Sequence, residues 1–257
     1  MKVIILAGGF GTRISEESQF KPKPMIEIGE MPILWHIMKL YSSYGFNDFI
    51  ICAGYKQDFI KKWFESYSLT TSNVTFDFSK NKVIIHEKHT EPWKVTIVDT
   101  GLNTQTGGRV KRVRDYVGDE TFMVTYGDAV GDINIKELLD YHKSHGKTGT
   151  VSVYNFGQNK GVLEITKGEV VAFREKSDLD GDLINIGFMV FEPAFFDCID
   201  DDTTVLEKKP MTTLINNKQL MAYTHKGFWQ CMDTLREKEK LERLWNSGNA
   251  PWKKWED

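Results

Sequence analysis

The sequence predicts an α/β fold: a mostly parallel central sheet flanked by helices, with a small β excursion. Three observations carry this expectation. Val3–Leu6 and Phe49–Cys52 are short apolar runs rich in β-branched residues, the composition of strands buried on both faces. After each run, apolar residues recur at helical spacing, at Leu34, Ile37, Met38 and Tyr41 and at Phe59, Ile60, Trp63 and Phe64. Strand–helix alternation with short connections makes neighbouring strands parallel. Finally, 257 residues with 40% hydrophobic content suffice for one large core, so a single domain over residues 1–257 is expected.

Composition excludes several classes. Net charge is −3, from 33 basic and 36 acidic residues, which provides no overall field for nucleic acid. Cys52, Cys198 and Cys231 are odd in number and far apart, which fits a reducing cytosol better than a disulfide framework. No CxxC or His-rich spacing suggests zinc. The N-terminal apolar run is too short for a signal-peptide core, and no stretch of about eighteen apolar residues could span a membrane. A cytoplasmic protein without membrane or nucleic-acid partners is expected.

Taken in order, the first strand runs straight into Ala7, Gly8, Gly9, Phe10 and Gly11, followed by Thr12 and Arg13, with Lys21 and Lys23 close behind. Glycines let the backbone turn sharply and let N–H groups approach a ligand. Backbone donors followed by cations suit a polyphosphate. The P-loop string is absent, and the third glycine of a dinucleotide fingerprint falls on Ile14. A plain glycine turn explains the glycines but neither Arg13 nor Lys23.

Pro32 suits the first turn of a helix that Gly45 ends, with His36 read as packing. Asp58 to Tyr67 reads as the second helix, with Phe59, Ile60, Trp63 and Phe64 inward. Residues 68–98 break the rhythm: Val74, Phe76 and Phe78 alternate with polar neighbours, as do Val83 and Ile85, predicting two short strands. His86, Glu87, Lys88, His89 and Glu91 are read there as a solvated face rather than a metal cluster. Thr106 can cap a helix opening at Thr106-Gly107-Gly108-Arg109, leaving first-turn N–H groups for an anion or a base edge; an ordinary helix start with a surface arginine is the alternative.

Thr121 to Thr125 is another apolar strand, delivering Tyr126-Gly127-Asp128. An acid just past the carboxyl end of a central strand lies where ligands bind in open α/β sheets. Asp132 sits beside a predicted cap at Asn134, with Glu137 as its capping-box partner, and is read as structural. A helix ending at Gly146, a strand Thr150–Tyr154 and a hairpin of Gly161–Ile165 with Val170–Glu175 follow. Helices Pro210–Asn217 and Leu235–Trp245 flank a strand at Leu220–Thr224. Asp233 either serves a ligand or merely begins the last helix, where an acid is favourable in any case. The tail with Trp252 and Trp255 is too apolar for a free end and should dock on its own body or on a neighbouring subunit.

Leu6 to Arg13 reads L-A-G-G-F-G-T-R, and Lys23-Pro24-Met25 follows. This resembles the sugar-1-phosphate nucleotidylyltransferases, whose signature is L-A-G-G-x-G-T-R with a Lys-Pro pair downstream. Glu91-Pro92-Trp93, Val98-Asp99-Thr100-Gly101 leading to Thr106-Gly107-Gly108-Arg109, and Gly227-Phe228-Trp229-Gln230 before Asp233-Thr234 resemble the members that use CTP and glucose-1-phosphate. The resemblance spans most of the chain. It implies a Rossmann-like nucleotidyltransferase fold, with residues 1–145 mainly binding nucleotide and 146–257 mainly binding sugar phosphate.

The resemblance further implies Mg²⁺-dependent transfer of a cytidylyl group to α-D-glucose-1-phosphate, giving CDP-glucose and pyrophosphate, for deoxysugar or surface polysaccharide synthesis. It puts Leu6, Ala7, Gly8, Gly9, Gly11, Thr12, Arg13, Lys23, Gly108, Arg109 and Asp128 at the nucleotide, and Arg13, Lys23, Asp128 and Asp233 at the chemistry. Asp128 and Asp233 become the metal ligands. Glu175, Lys176 and Asn185 become the sugar-phosphate contacts, although Ser177 and Ile186 replace the family's Pro and Gly there, and Ala129 replaces the Gly that commonly follows Asp128. Relatives form hexamers or tetramers, so a homo-oligomer is expected. Another acceptor phosphate, another nucleoside triphosphate, or a catalytically silent nucleotide-binding regulator are the competing readings; a silent regulator would be expected to lose Lys23 or a carboxylate, and this chain keeps them.

Overall fold

A computed structural model describes residues 1–87, 89–155, 162–166, 169–174 and 183–256. Seven strands form the main sheet: β1 (Lys2–Ala7), β2 (Asp48–Ala53), β3 (Lys94–Asp99), β4 (Phe122–Tyr126), β5 (Gly149–Asn155), β6 (Leu183–Phe191) and β7 (Leu220–His225). Their order is β7-β5-β6-β4-β1-β2-β3. Every pairing is parallel except the two made by β6. The helices flanking it are α1 (Ile33–Ser43), α2 (Gln57–Thr70), α3 (Thr106–Arg112), α4 (Ile135–His145), α5 (Lys209–Asn216) and α6 (Leu235–Asn246).

Burial explains why β1 and β2 read as unbroken apolar runs. Side chains alternate across a strand, so Val3, Ile5, Ala7, Phe49 and Ile51 enter one core with α1 and the C-terminal tail. Ile4, Leu6, Ile50 and Cys52 enter the other, with Val110, Phe195 and Phe196. On the first face Trp252 is fully buried, and its indole N–H donates to His36 Nδ1 at 3.3 Å. His36 Nε2 therefore carries the proton and donates to the Ile28 carbonyl at 2.9 Å, and burial pushes the imidazole pKa down to about 4. His36 is a packing residue, and the tail docks on its own body.

Four expectations need correction. Lys94–Asp99 belongs to the main sheet as its edge strand, paired in parallel with β2, rather than to the excursion; Val95 and Ile97 pack on the first core, a signal short enough to be lost among polar neighbours. The excursion is the hairpin Asn73–Asp77 with Lys82–Glu87. Phe59 is 43% exposed; in a 3.6-residue helix it precedes the inward face set by Ile60, Trp63, Phe64 and Tyr67. Thr106 does not cap α3: Gln105 holds the cap position without a side-chain bond, and the Thr106 hydroxyl instead reaches Glu207 Oε2 at 2.9 Å and receives the Leu206 N–H. Finally, β6 was not foreseen as a strand. A second hairpin, Val162–Thr166 with Glu169–Arg174, lies where the alternation predicted it.

Candidate active site

The strand order changes direction at β1. From it the chain steps outward to β2 and β3, whereas β4 lies on its other side. Loops leaving the carboxyl ends of β1 and β4 therefore diverge and leave a crevice between them, the place where open α/β sheets bind ligands. A cleft of about 480 Å³ opens there, lined by the loop Leu6–Arg13, by Lys23 and Pro24, by Leu102–Thr106 and Arg109, and by Tyr126–Asp128. Of the residues expected at a nucleotide, all except Gly108 line it. Gly11 turns the loop with φ at +67°, and the Ser18 hydroxyl ties its carbonyl at 2.9 Å. A Cβ on Gly127 would stand 2.9 Å from the Leu6 carbonyl, so only glycine lets β4 leave the sheet so close to β1.

Lys23 is the charge centre. It is 8% exposed, fixed on a tight turn between Pro22 and Pro24. Its Nζ donates to Asp128 Oδ2 at 2.6 Å and to Asp233 Oδ1 at 2.5 Å. Burial pulls its pKa down, but the two carboxylates outweigh this and hold the ammonium above the ordinary lysine range. Arg13 Nη1 donates to the other Asp233 oxygen at 2.6 Å. Lys21 lies off the cleft wall and pairs with Glu27 at 3.0 Å.

A small antiparallel pairing joins the two carboxylates. Ala129–Gly131 pairs with Trp229–Cys231, and the Met232 N–H donates to the Asp128 carbonyl at 2.9 Å. Asp233 thus arrives beside Asp128 from the far end of the chain. It does not cap α6, whose cap is Thr234 with Glu237 in a reciprocal capping box; its carboxylate is spent on Lys23 and Arg13 instead. Asp132 is structural, receiving the Phe228 N–H at 2.6 Å, and Asn134 caps α4.

Arg109 is buried rather than on the surface. Its Nη1 donates to Thr100 Oγ1 and the Gly101 carbonyl, both at 2.7 Å, and its Nη2 to the carbonyls of Gly8 at 3.1 Å and Leu102 at 3.2 Å. One guanidinium therefore ties the loop after β1 to the loop after β3. A Cβ on Gly8 would stand 2.2 Å from it, a steric reason for that glycine beyond ligand access. Gly108 is set back from the wall, where a Cβ would meet the Asp202 backbone at 2.6 Å. Glu207 accepts from the Tyr126 hydroxyl as well as from Thr106, bracing two walls of the cleft. Tyr126, Leu102–Gln105 and Glu207 were not singled out from sequence; Tyr126 alone had a signal, as neighbour of Gly127-Asp128.

Asn185 is exposed and does not line the cleft; its Oδ1 accepts the Gly187 N–H at 2.9 Å. Glu175, Lys176 and Ser177 lie outside the described residues. Ile186 is 1% exposed, so this departure from glycine fills the core. Of the stretch read as a solvated face, His86, Glu87 and His89 are exposed, Lys88 lies outside the described residues, and Glu91 is largely covered. Glu91 instead accepts from the Tyr67 hydroxyl and pairs with Lys39 at 3.1 Å.

Residues 2–257 match the nucleotidyl transferase family. The chain is 54% identical, over 257 residues and the whole of both chains, to the glucose-1-phosphate cytidylyltransferase of Salmonella typhimurium. It is 28% identical over 253 residues to the mannose-1-phosphate guanyltransferase of Saccharomyces cerevisiae, covering 94% of this chain and 63% of that protein. In structure it is similar to a UDP-glucose pyrophosphorylase complexed with UDP-glucose, with a TM-score of 0.69 and 16% identity over 96% of this chain and 98% of that one; at that identity the likeness speaks for the fold alone. Among the described residues no helix is long and apolar enough to cross a membrane. With the family matched along nearly its whole length and the signature loop at the strand end where the cleft opens, this chain belongs to the nucleotidyl transferase family.

Proposed function

We propose that this chain transfers a cytidylyl group from CTP to α-D-glucose-1-phosphate, releasing pyrophosphate. The observation that carries the reading is Lys23, which lines the cleft, held between Asp128 and Asp233, in a chain 54% identical to a glucose-1-phosphate cytidylyltransferase along its whole length. An oxygen of the sugar phosphate attacks the α-phosphorus as the bond to pyrophosphate breaks. A phosphate monoester is largely dianionic near pH 7, its second pKa being about 6, so the nucleophile needs no general base. Alignment and charge compensation are what the protein has to supply. Backbone N–H groups of Gly8, Gly9, Gly11 and Thr12, with Arg13, would cradle the triphosphate, and Lys23 would offset repulsion between the reacting phosphates.

Asp128 and Asp233 fit a magnesium ion: both offer hard oxygen donors around Lys23, Asp128 from the cleft wall itself, and magnesium characteristically takes one or two carboxylates with phosphate and water completing its shell. When bound, such an ion supplies positive charge at the α-phosphate. The carbonyl of Leu102, on the cleft wall, keeps a second lone pair beyond the one given to Arg109 and would accept from the exocyclic amine of cytosine. Asn185, Glu175 and Lys176 remain the proposed contacts of the sugar phosphate. A cytoplasmic homo-oligomer, hexamer or tetramer, is proposed with it, supported by Phe76, Phe78 and Val83, exposed by 53%, 90% and 51% on one projecting hairpin.

The test is kcat/KM for CTP, UTP and a purine triphosphate, each with glucose-1-phosphate and followed by pyrophosphate release. CTP should exceed the purine nucleotides strongly and UTP by a smaller margin, because a site built for the cytosine amine leaves acceptors unpaired against uracil. A UTP value equal to the CTP value overturns the assignment of the base, and CTP binding without turnover on any sugar phosphate overturns the assignment as an enzyme.

A further inference from the structure

At the cleft, two carboxylates and two cations are paired with one another: Lys23, Asp128 and Arg13 line it and Asp233 meets both cations. Asp233 has both oxygens engaged, Oδ1 by Lys23 at 2.5 Å and Oδ2 by Arg13 at 2.6 Å. Asp128 gives Oδ2 to Lys23 at 2.6 Å, and among the described residues its Oδ1 is the one carboxylate oxygen of the pair with no partner. Two carboxylates brought this close repel unless a cation stands between them, and the side chain of Lys23 is only 10% exposed. The ammonium therefore occupies the position a metal would need, and for either carboxylate to face a divalent ion fully Lys23 has to let go of it. Removed from the carboxylates, a buried ammonium needs another anion. A triphosphate supplies that anion to Lys23 and to Arg13 in the same event.

We propose that Lys23, assisted by Arg13, is the resident counter-ion of the Asp128–Asp233 pair and keeps a divalent cation out of the cleft until a nucleoside triphosphate takes the two basic side chains in exchange. Metal and nucleotide then enter together, and metal alone binds poorly. The inference rests on the reading of this cleft as a nucleotide site, but it concerns the protein before nucleotide arrives.

Manganese(II) alone is the probe, with free Mn²⁺ followed by electron paramagnetic resonance in the absence of nucleotide. Wild type should bind Mn²⁺ weakly, Lys23→Met more tightly by on the order of tenfold, and Lys23→Arg, which keeps the charge, no more tightly than wild type. Thermal melting supplies the control for folding. Lys23→Met should be less stable than wild type without metal and should recover with Mn²⁺, while wild type should shift little. If Lys23→Met folds only when Mn²⁺ is present, that rescue supports the same conclusion. Equal Mn²⁺ affinity in wild type and Lys23→Met, or no response of the Lys23→Met melting temperature to Mn²⁺, overturns the inference. Turnover of CTP by wild type reports on the functional reading separately: a protein active with CTP whose Lys23→Met form binds Mn²⁺ no better keeps its function and loses this inference.

Discussion

Two polar clusters of this molecule contain residue types used in catalysis, and they sit at opposite ends of the sheet. One is the cleft floor of Lys23, Asp128, Asp233 and Arg13 at the carboxyl ends of β1 and β4. The other joins His142 and His145 of α4 to Thr150 at the start of β5, with Glu192 just beyond β6. The second has the composition of a nucleophile triad: Thr150 Oγ1 lies 2.8 Å from His142 Nδ1, and His142 Nε2 lies 3.1 Å from Glu192 Oε1. Its hydrogen bonds fix one arrangement of protons. The Lys147 N–H donates to His145 Nδ1 at 2.9 Å, so His145 carries its proton on Nε2 and donates to Thr150 Oγ1 at 2.8 Å. Thr150 then donates to His142, and His142 to Glu192. Each of these donors has an acceptor, and Thr150 is fully buried, so its hydroxyl has nothing to attack. The cleft floor differs in one respect that matters: its charges meet beside open space and can exchange partners with a ligand. Residue type alone does not mark a site; polar capacity that a ligand can take over, next to a cavity, does.

The largest effects should fall on one cluster only. Asp128→Asn and Asp233→Asn should each lower turnover by about a hundredfold or more, since each removes charge stabilisation from the transition state, while urea midpoints change little. Steady-state pyrophosphate release and equilibrium unfolding, measured on the same preparations, check this. Turnover within a few-fold of wild type for either variant would erase the contrast on which the assignment stands.

How far this contrast was legible in the sequence depends on chain distance. The glycine loop that lines the cleft is contiguous, so Gly8 to Arg13 could be read directly, and Asp128 followed from its place after an apolar strand. Asp233 had two readings, and the pairing of Ala129–Gly131 with Trp229–Cys231 brings it beside Lys23 and Asp128, a placement that chain distance hides. The sequence offered no Ser/His/Asp arrangement, yet the fold assembles Thr150, His142 and Glu192, because strands that meet in the sheet need not be neighbours in the chain. Arg109 was legible as a site residue but not as a clamp, since its partners are mostly backbone carbonyls, which no side-chain pattern encodes. β6 was not legible for a related reason: it opens on Asn185-Ile186-Gly187, whose Gly187 has φ at +83°, and its fully apolar part, Phe188–Phe191, is only a short run behind that glycine.

The next prediction probes the histidine cluster from the other side. Thr150→Val keeps the shape of the side chain but removes the hydroxyl shared by two imidazoles, leaving His142 Nδ1 without a donor and His145 Nε2 without an acceptor. For the buried His142 an unsatisfied group of this kind costs about 1–3 kcal/mol; the half-buried His145 adds less. The variant should therefore unfold at lower urea while kcat and KM stay at wild-type values. Loss of turnover without loss of stability would turn the cluster from a brace into part of the chemistry.

The smallest expected effect is one of pH, and it separates a network satisfied by neutral groups from one held by charge. Burial, then the neighbouring His142 and Lys147, hold the His145 pKa below the usual histidine range. The geometry gives the same answer, because a second proton on His145 would sit on Nδ1, where the Lys147 N–H already points. Tyr141 faces the ring at 5.2 Å without supplying a charge. For a histidine whose folded-state pKa is depressed, the fold binds fewer protons than the unfolded chain. Its contribution is complete above the unfolded pKa of about 6.5 and is lost as pH falls through the folded value. His36 loses stability over the same side of neutrality, so the measurement must be a difference. Unfolding free energies at pH 7.5 and 5.5 for wild type and His145→Gln share the His36 contribution, and wild type should lose more on acidification than the variant does. Parallel losses would show that the His145 network tolerates charge as well as the unfolded chain does, and the distinction between the two ends of the sheet would then rest on the cleft alone.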